Sequence, residues 1–129
     1  MNVCVRVEFD AAHRLYGYDG MCSNIHGHRY AVEVSVFGLV GNDGIAVDFG
    51  YLKKAIREYI DDTFDHRILL WSHDPLVKGL CEHGLKMTLF LCNPTAEVLA
   101  TDIYAKLKES FNVHKVRVWE TPTCYAETA

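Results

Sequence analysis

The sequence contains no C-x-x-C pair, no run of 18 uninterrupted apolar residues, no excess of positive charge and no internal repeat or low-complexity tract. Its five cysteines, Cys4, Cys22, Cys81, Cys92 and Cys124, form an odd set, which argues against a disulfide framework. The missing C-x-x-C argues against a zinc ribbon, so any chemically special cysteine is expected to be a free thiol. The missing apolar run removes a membrane-spanning helix. Residues 1–20 carry charges throughout and lack the basic start and apolar stretch of a signal peptide, so a soluble, cytoplasmic protein is expected. A net charge of -4 gives no general attraction for phosphate backbones or anionic lipid, although a local basic pocket for a small anion is compatible with it. Neither nucleic acid nor a membrane is an expected partner. What is present is 129 residues, 50% of them hydrophobic, enough for one globular domain spanning residues 1–129 with a sizeable core.

Val3, Val5, Val7 and Phe9 alternate with Cys4, Arg6, Glu8 and Asp10, the period-two pattern of a half-buried strand. A second strand is expected from about His26 to Phe37, with Tyr30, Val32, Val34 and Val36 on one face and Arg29, Glu33 and Ser35 on the other. From Asp48, a candidate N-cap, the positions Leu52, Ala55, Ile56, Tyr59 and Ile60 follow helical spacing to about Phe64. The stretch NPTAE opens a second helix, with Asn93 as candidate cap and Pro94 in the first turn, running through Leu99, Ile103 and Leu107 to about Phe111. Between the helices, residues 67–91 read as irregular, with KMTLFL (86–91) a short strand or a buried extended segment. Val116 and Val118 lie in a strand ending near Glu120 or Thr121, and a short last strand follows Pro122. The expected order is strand, strand, helix, helix, strand, strand.

The most informative stretch is CSNIHGHRYAVEVSVFG, residues 22–38. Residues two apart in a strand point to the same side, so His26 and His28 project together on the face that Tyr30 and Val32 bury, with a bare glycine opposite them. Two neighbouring inward imidazoles compete for partners unless a cation takes both lone pairs, and neutral imidazoles are preferred nitrogen donors to zinc. His13, in FDAAHRL, is the third candidate ligand, because a hairpin-like pairing places the end of the first strand beside the second. Three histidines without a fourth protein ligand leave an open position, as in catalytic zinc sites. Lone histidines near apolar faces are ordinarily hydrogen-bonded core or rim residues, and His73, His83 and His114 are read that way. Cys4, Cys81 and Cys92 are read as small buried hydrophobes. Cys22 differs, because it lies in a polar loop just before the histidines, where a nearby cation would favour thiolate and let it act as base or nucleophile. Asp65 beside His66 either orients the ring or decorates the surface. Glu120 shares the parity of Val116 and Val118 and points inward, either to the N–H groups of a heterocycle or to an arginine or lysine.

FDAAHRL, C-x3-HGH, VDFG followed by LK, the Asp-His pair, NPTAE and the late Glu-Thr, in that order from about Val7 to Thr121, together resemble the 6-pyruvoyl-tetrahydropterin synthase superfamily. The resemblance is strongest to its 6-carboxy-tetrahydropterin synthase branch in the queuosine and deazapurine pathway, which has the same three-residue interval between cysteine and HGH. It implies an α+β tunnelling fold (T-fold), in which an antiparallel sheet carries two helices on one face. It further implies homo-oligomeric barrels, commonly trimers stacked as hexamers, with active sites at subunit interfaces. By position it makes His13, His26 and His28 ligands of a Zn2+ cofactor, Cys22 the general base, and Asp65 with His66 a proton relay. Glu120 anchors a pterin ring, and Thr95 helps hold it. The implied reaction converts 7,8-dihydroneopterin triphosphate to 6-carboxy-5,6,7,8-tetrahydropterin with release of acetaldehyde and triphosphate. A pyruvoyl-type elimination from the same substrate and a noncatalytic pterin- or zinc-binding module are the alternatives.

Overall fold

The computed structural model describes residues 1–129. The elements in chain order are β1 (Asn2–His13), a 3-10 turn (Met21–Ser23), β2 (His26–Phe37), α1 (Phe49–Thr63), β3 (Ile68–Trp71), α2 (Leu76–Glu82), β4 (Met87–Phe90), α3 (Ala96–Leu107), β5 (Val113–Thr121) and β6 (Cys124–Glu127). They form one six-stranded sheet in the order β4-β3-β1-β2-β5-β6. β1, β2, β5 and β6 pair antiparallel, with Phe9 opposite Tyr30, Ala11 opposite His28 and His13 opposite His26.

The alternation read from β1 and β2 is the alternation that packs. Val5, Val7, Phe9 and Ala11 join Tyr30, Val32, Val34 and Val36 in a contiguous core of 22 buried residues. The opposite face carries a ladder of ion pairs, including Arg6–Glu33 at 3.1 Å, Arg29–Asp10 at 2.8 Å and Arg117–Glu33 at 3.3 Å. Solvent-exposed pairs of this kind contribute little each, so the sheet is held chiefly from its apolar side. α1 begins where Asp48 Oδ1 accepts the Tyr51 N–H at 2.9 Å, and it buries Leu52, Ile56 and Ile60 completely. α3 adds Leu99, Ala100, Ile103 and Leu107 to the same core.

Four expectations are corrected. The order of two strands, two helices and two strands omits β3 and α2, which occupy residues read as irregular, and β4, which takes the short-strand alternative given for KMTLFL (86–91). The sheet is mixed rather than antiparallel, because β3 runs parallel to β1 and to β4. Parallel neighbours need a crossover, and α2 supplies it between β3 and β4. The second of the two expected helices, α3, starts later, at Ala96, with Thr95 as its cap: Thr95 Oγ1 accepts the Val98 N–H at 3.4 Å, while the Asn93 side chain is engaged elsewhere. Cys4, Cys81 and Cys92 are exposed rather than buried. Cys4 takes the parity of the charged face of β1, and Cys81 lies on α2, which buries no residue.

Candidate metal centre and its surroundings

The register that pairs the end of β1 with the start of β2 sets His13 directly opposite His26, with His28 one pleat further along the same face. The three rings meet edge to face, with centroids 4.6 Å (His13–His26), 5.1 Å (His13–His28) and 4.9 Å (His26–His28) apart. One ligand atom from each lies within 4.8 Å of the others. His13 is 1% exposed, and its Nδ1 donates to the Pro94 carbonyl at 2.9 Å. His26 Nδ1 donates to the Asn24 carbonyl at 2.7 Å. A carbonyl can only accept, so both Nδ1 atoms carry a proton and, in the neutral rings, both Nε2 atoms present lone pairs. Those two Nε2 atoms stand 3.1 Å apart, and the buried Nε2 of His28 has no hydrogen-bond partner.

Facing lone pairs repel unless a proton or a metal ion lies between them. Burial holds the His13 and His28 imidazoles below the usual histidine range, against the opposing Pro94 hydrogen bond at His13 and the Glu120 charge at both, so protonation is disfavoured. Nitrogens on a tetrahedral zinc with bonds of about 2.0–2.1 Å lie roughly 3.3 Å apart, close to the 3.1 Å between His13 and His26. The donor set therefore fits a divalent ion bound by neutral imidazoles, with backbone carbonyls fixing the tautomer of two of them.

Glu120, at the end of β5, turns inward as its parity requires. Its Oε1 lies 3.3 Å from His13 Nε2 and 3.6 Å from His28 Nε2, rather than against an arginine or lysine. Its side chain remains 33% exposed, so the carboxylate is reachable from outside. Tyr30 forms the floor: it is fully buried, stacks on Phe9 at 5.0 Å and lies edge-on to His28, and its hydroxyl has no partner. Burial, with the Glu120 charge adding to it, pushes that phenol well above its usual range.

Cys22 is half-buried in the 3-10 turn, and its carbonyl accepts the Leu15 N–H at 2.8 Å, which ties the thiol-bearing loop to the chain leaving His13. Asp65 and His66 follow α1. Adjacent side chains usually diverge, but His66 has φ +58°, a left-handed conformation that costs a non-glycine residue about 1 kcal/mol or more. That twist brings His66 Nδ1 to 3.0 Å from Asp65 Oδ1, which also accepts the Asp10 N–H at 3.1 Å. The His66 N–H in turn donates to the Asp10 carbonyl at 2.7 Å, fastening the pair to β1. His66 and His28 both line a groove of about 530 Å³. Gly27 lies in the same groove; a Cβ there would meet only the Ala11 carbonyl at 3.6 Å, so its bareness is not demanded by packing within the chain.

Thr95 lies directly after Pro94, the residue that anchors His13, so the NPTAE stretch reaches the site through its backbone. Sequence reasoning missed the Pro94 and Asn24 carbonyls, since no side chain advertises a carbonyl's direction. It also missed Asp74, which is buried and receives Arg14 Nε at 2.7 Å, joining the loop before α2 to the residue after His13.

The family model described as "6-pyruvoyl tetrahydropterin synthase" matches residues 2–129. Among similar curated proteins, the 6-carboxy-5,6,7,8-tetrahydropterin synthases of Rickettsia felis and Rickettsia bellii are 36% and 37% identical, each over 95% of both chains. The protein of the same name from Haemophilus influenzae is 33% identical over 92% of both. Among solved structures, the 6-pyruvoyl tetrahydropterin synthase of Caenorhabditis elegans superposes with a TM-score of 0.73 at 28% identity, covering 99% of this chain and 94% of that one. An uncharacterized protein from Wolinella succinogenes shares the fold with a TM-score of 0.84 at 20% identity, covering 99% and 97%. With a family model spanning nearly its whole length and relatives above 30% identity along both chains, the protein belongs to the 6-pyruvoyl tetrahydropterin synthase family.

Proposed function

We propose that this chain is a zinc-dependent carbon–carbon lyase, a 6-carboxy-tetrahydropterin synthase of the queuosine and deazapurine pathway. It converts 7,8-dihydroneopterin triphosphate, with uptake of water, to 6-carboxy-5,6,7,8-tetrahydropterin, acetaldehyde and triphosphate. The observation that carries the reading is the imidazole triad: His13, His26 and His28 converge through Nε2 atoms that have no carbonyl or carboxamide partner. Relatives between 33% and 37% identical bear that enzyme's name.

His13, His26 and His28 would hold the zinc ion, which would supply Lewis-acid polarisation of the substrate side chain. Cys22 takes the proton from the adjacent carbon, and His66, oriented by the Asp65 carboxylate, exchanges a proton at the other side of the substrate. Glu120 accepts the N–H groups of the pterin ring and, with Thr95, holds it so that the reacting carbons lie between these groups. The left-handed backbone at His66 brings its ring against the Asp65 carboxylate, which supports a working role for the pair.

The active unit is a homo-oligomer, a hexamer built as a dimer of trimers with sites at subunit interfaces, and residues 1–129 act as one domain around the contiguous core. Three observations support the assembly. β1 pairs with β3 only at Ala12 and His13, which leaves most of its outer edge open, and β6 is the free edge at the other end of the sheet; exposed edges invite strand pairing. The His66 side chain is 78% exposed, free to meet a substrate held by another copy. Met1, Val40, Ile45 and Phe49 are exposed around one cavity of about 440 Å³.

Incubation of zinc-loaded protein with 7,8-dihydroneopterin triphosphate tests the reading, with products identified by mass spectrometry. The 6-carboxy product with stoichiometric acetaldehyde is expected. The resemblance to the C. elegans enzyme at 28% identity favours pyruvoyl-type elimination as the second reading; a pyruvoyl product without acetaldehyde would establish it instead, and no turnover at all would overturn both.

A further inference from the structure

Asn93 does not cap α3, and its side chain does something more specific. Oδ1 accepts the Tyr16 N–H at 2.9 Å, and Nδ2 donates to the Tyr16 carbonyl at 3.0 Å. One carboxamide therefore grips both backbone groups of a single residue 77 positions away, three residues past His13. The Asn93 carbonyl also accepts the Thr95 N–H at 3.0 Å, closing a tight turn with Pro94 at its centre. The Pro94 carbonyl is the group that receives His13 Nδ1–H at 2.9 Å.

The Tyr16 end of this grip is itself fixed. Its ring stacks on Trp71 at 5.9 Å and lies under the Arg14 guanidinium at 5.3 Å, and Arg14 is held by the buried carboxylate of Asp74. Residues 14–16 thus form a firm anchor, and the Asn93 amide is the side-chain tie between that anchor and the turn carrying the Pro94 carbonyl.

We propose that Asn93 is a positioning residue for the metal centre: by clamping Tyr16 it aims the Pro94 carbonyl at His13, keeping the proton on Nδ1 and the Nε2 lone pair turned to the ion. The proposal rests on the metal reading of the triad. Partners that fix the orientation of a ligating histidine typically set metal affinity by about 10–100-fold. Neither tie of Asn93 is buried, so its loss leaves the core of the fold untouched.

The test compares the unaltered protein with Asn93→Ala and Asn93→Asp. The aspartate variant keeps an acceptor for the Tyr16 N–H and loses the donor to the Tyr16 carbonyl. Zinc affinity is read by competition with a chromophoric chelator, and the His13 tautomer in metal-free protein by imidazole 15N shifts. Asn93→Ala is expected to raise the zinc dissociation constant by about 10–100-fold and to convert His13 from a single Nδ1-protonated form to a mixture, with Asn93→Asp in between. Thermal midpoints of the metal-free proteins should stay within a few degrees of one another. An affinity within twofold of the original together with an unchanged tautomer would overturn the proposal, and so would failure of both variants to fold, which would make Asn93 a folding residue. If the unaltered protein binds no zinc, the metal reading fails, and the tautomer comparison still decides whether the clamp acts on His13.

Discussion

His13 shows how one residue in this fold is committed at both ends: its Nδ1 is spent on the Pro94 carbonyl, and its Nε2 faces His26 and Glu120. The identity of the triad was legible in the sequence, because period-two parity puts His26 and His28 on one face and a hairpin register brings His13 beside them. The partners that orient the rings were not legible, because they are backbone carbonyls supplied by loops whose paths the sequence pattern leaves open. The Asp65–His66 pair was legible only as a pair; its convergence depends on φ +58° at His66, which nothing in the local sequence announces. At this scale, His26→Ala removes one of the three proposed ligands without opening a core cavity, since His26 is only half-buried. It should weaken zinc binding by at least about 100-fold, more than the typical loss of a supporting partner, in chelator competition, with an unchanged far-ultraviolet spectrum. Cys22→Ala should leave zinc bound and lower kcat by about 10²–10⁴-fold with little change in KM, the loss expected of a general base; turnover at the original rate would remove Cys22 from the mechanism.

Among the elements, β1, β2, β5 and α1 were readable because each carries a strong period: alternating valines in the strands, and Leu52, Ile56 and Ile60 on one helical stripe. β3 (ILLW) was not, and β4 (MTLF) was legible only as one of two readings of KMTLFL, since four-residue strands in a parallel arrangement show no sustained alternation. The insertion they form with α2 is fastened to the site through Asp74, whose carboxylate takes Arg14 and the Leu76 N–H. The Arg14 hydrogen bond, followed by the Leu76 N–H, holds Asp74 below the usual carboxylate range against the opposing effect of burial. A carboxylate with a lowered native pKa contributes stability that is fully present above its unfolded value and is lost as pH falls through the native one. The Arg14–Asp74 contribution should therefore be complete at neutral pH and begin to be lost only as pH falls below about 4. Asp74→Ala should cost about 3 kcal/mol in urea unfolding at pH 7, the low end for breaking a buried pair because Arg14 keeps some contact with solvent. The difference between the two proteins should shrink as pH falls below the usual carboxylate range; a difference that stayed constant with pH would place the cost in packing instead of charge.

As a whole molecule, the chain presents two open sheet edges and an exposed His66, features that make sense if each site is finished by a neighbouring copy. Mixing subunits tests this: Cys22→Ala and His66→Ala proteins, each expected to be strongly impaired alone, should regain part of the activity when refolded together, because some interfaces then combine an intact Cys22 with an intact His66. No recovery in mixed oligomers would confine both residues to one chain's site. Beneath the assembly and the chemistry lies one claim, that the imidazoles of His13, His26 and His28 hold a divalent ion directly. Zinc-edge X-ray absorption on protein dialysed to constant metal content reads it without turnover. The account predicts one zinc per chain with three imidazole nitrogens at about 2.0–2.1 Å, and a sulfur scatterer near 2.3 Å, or no retained metal, would contradict it.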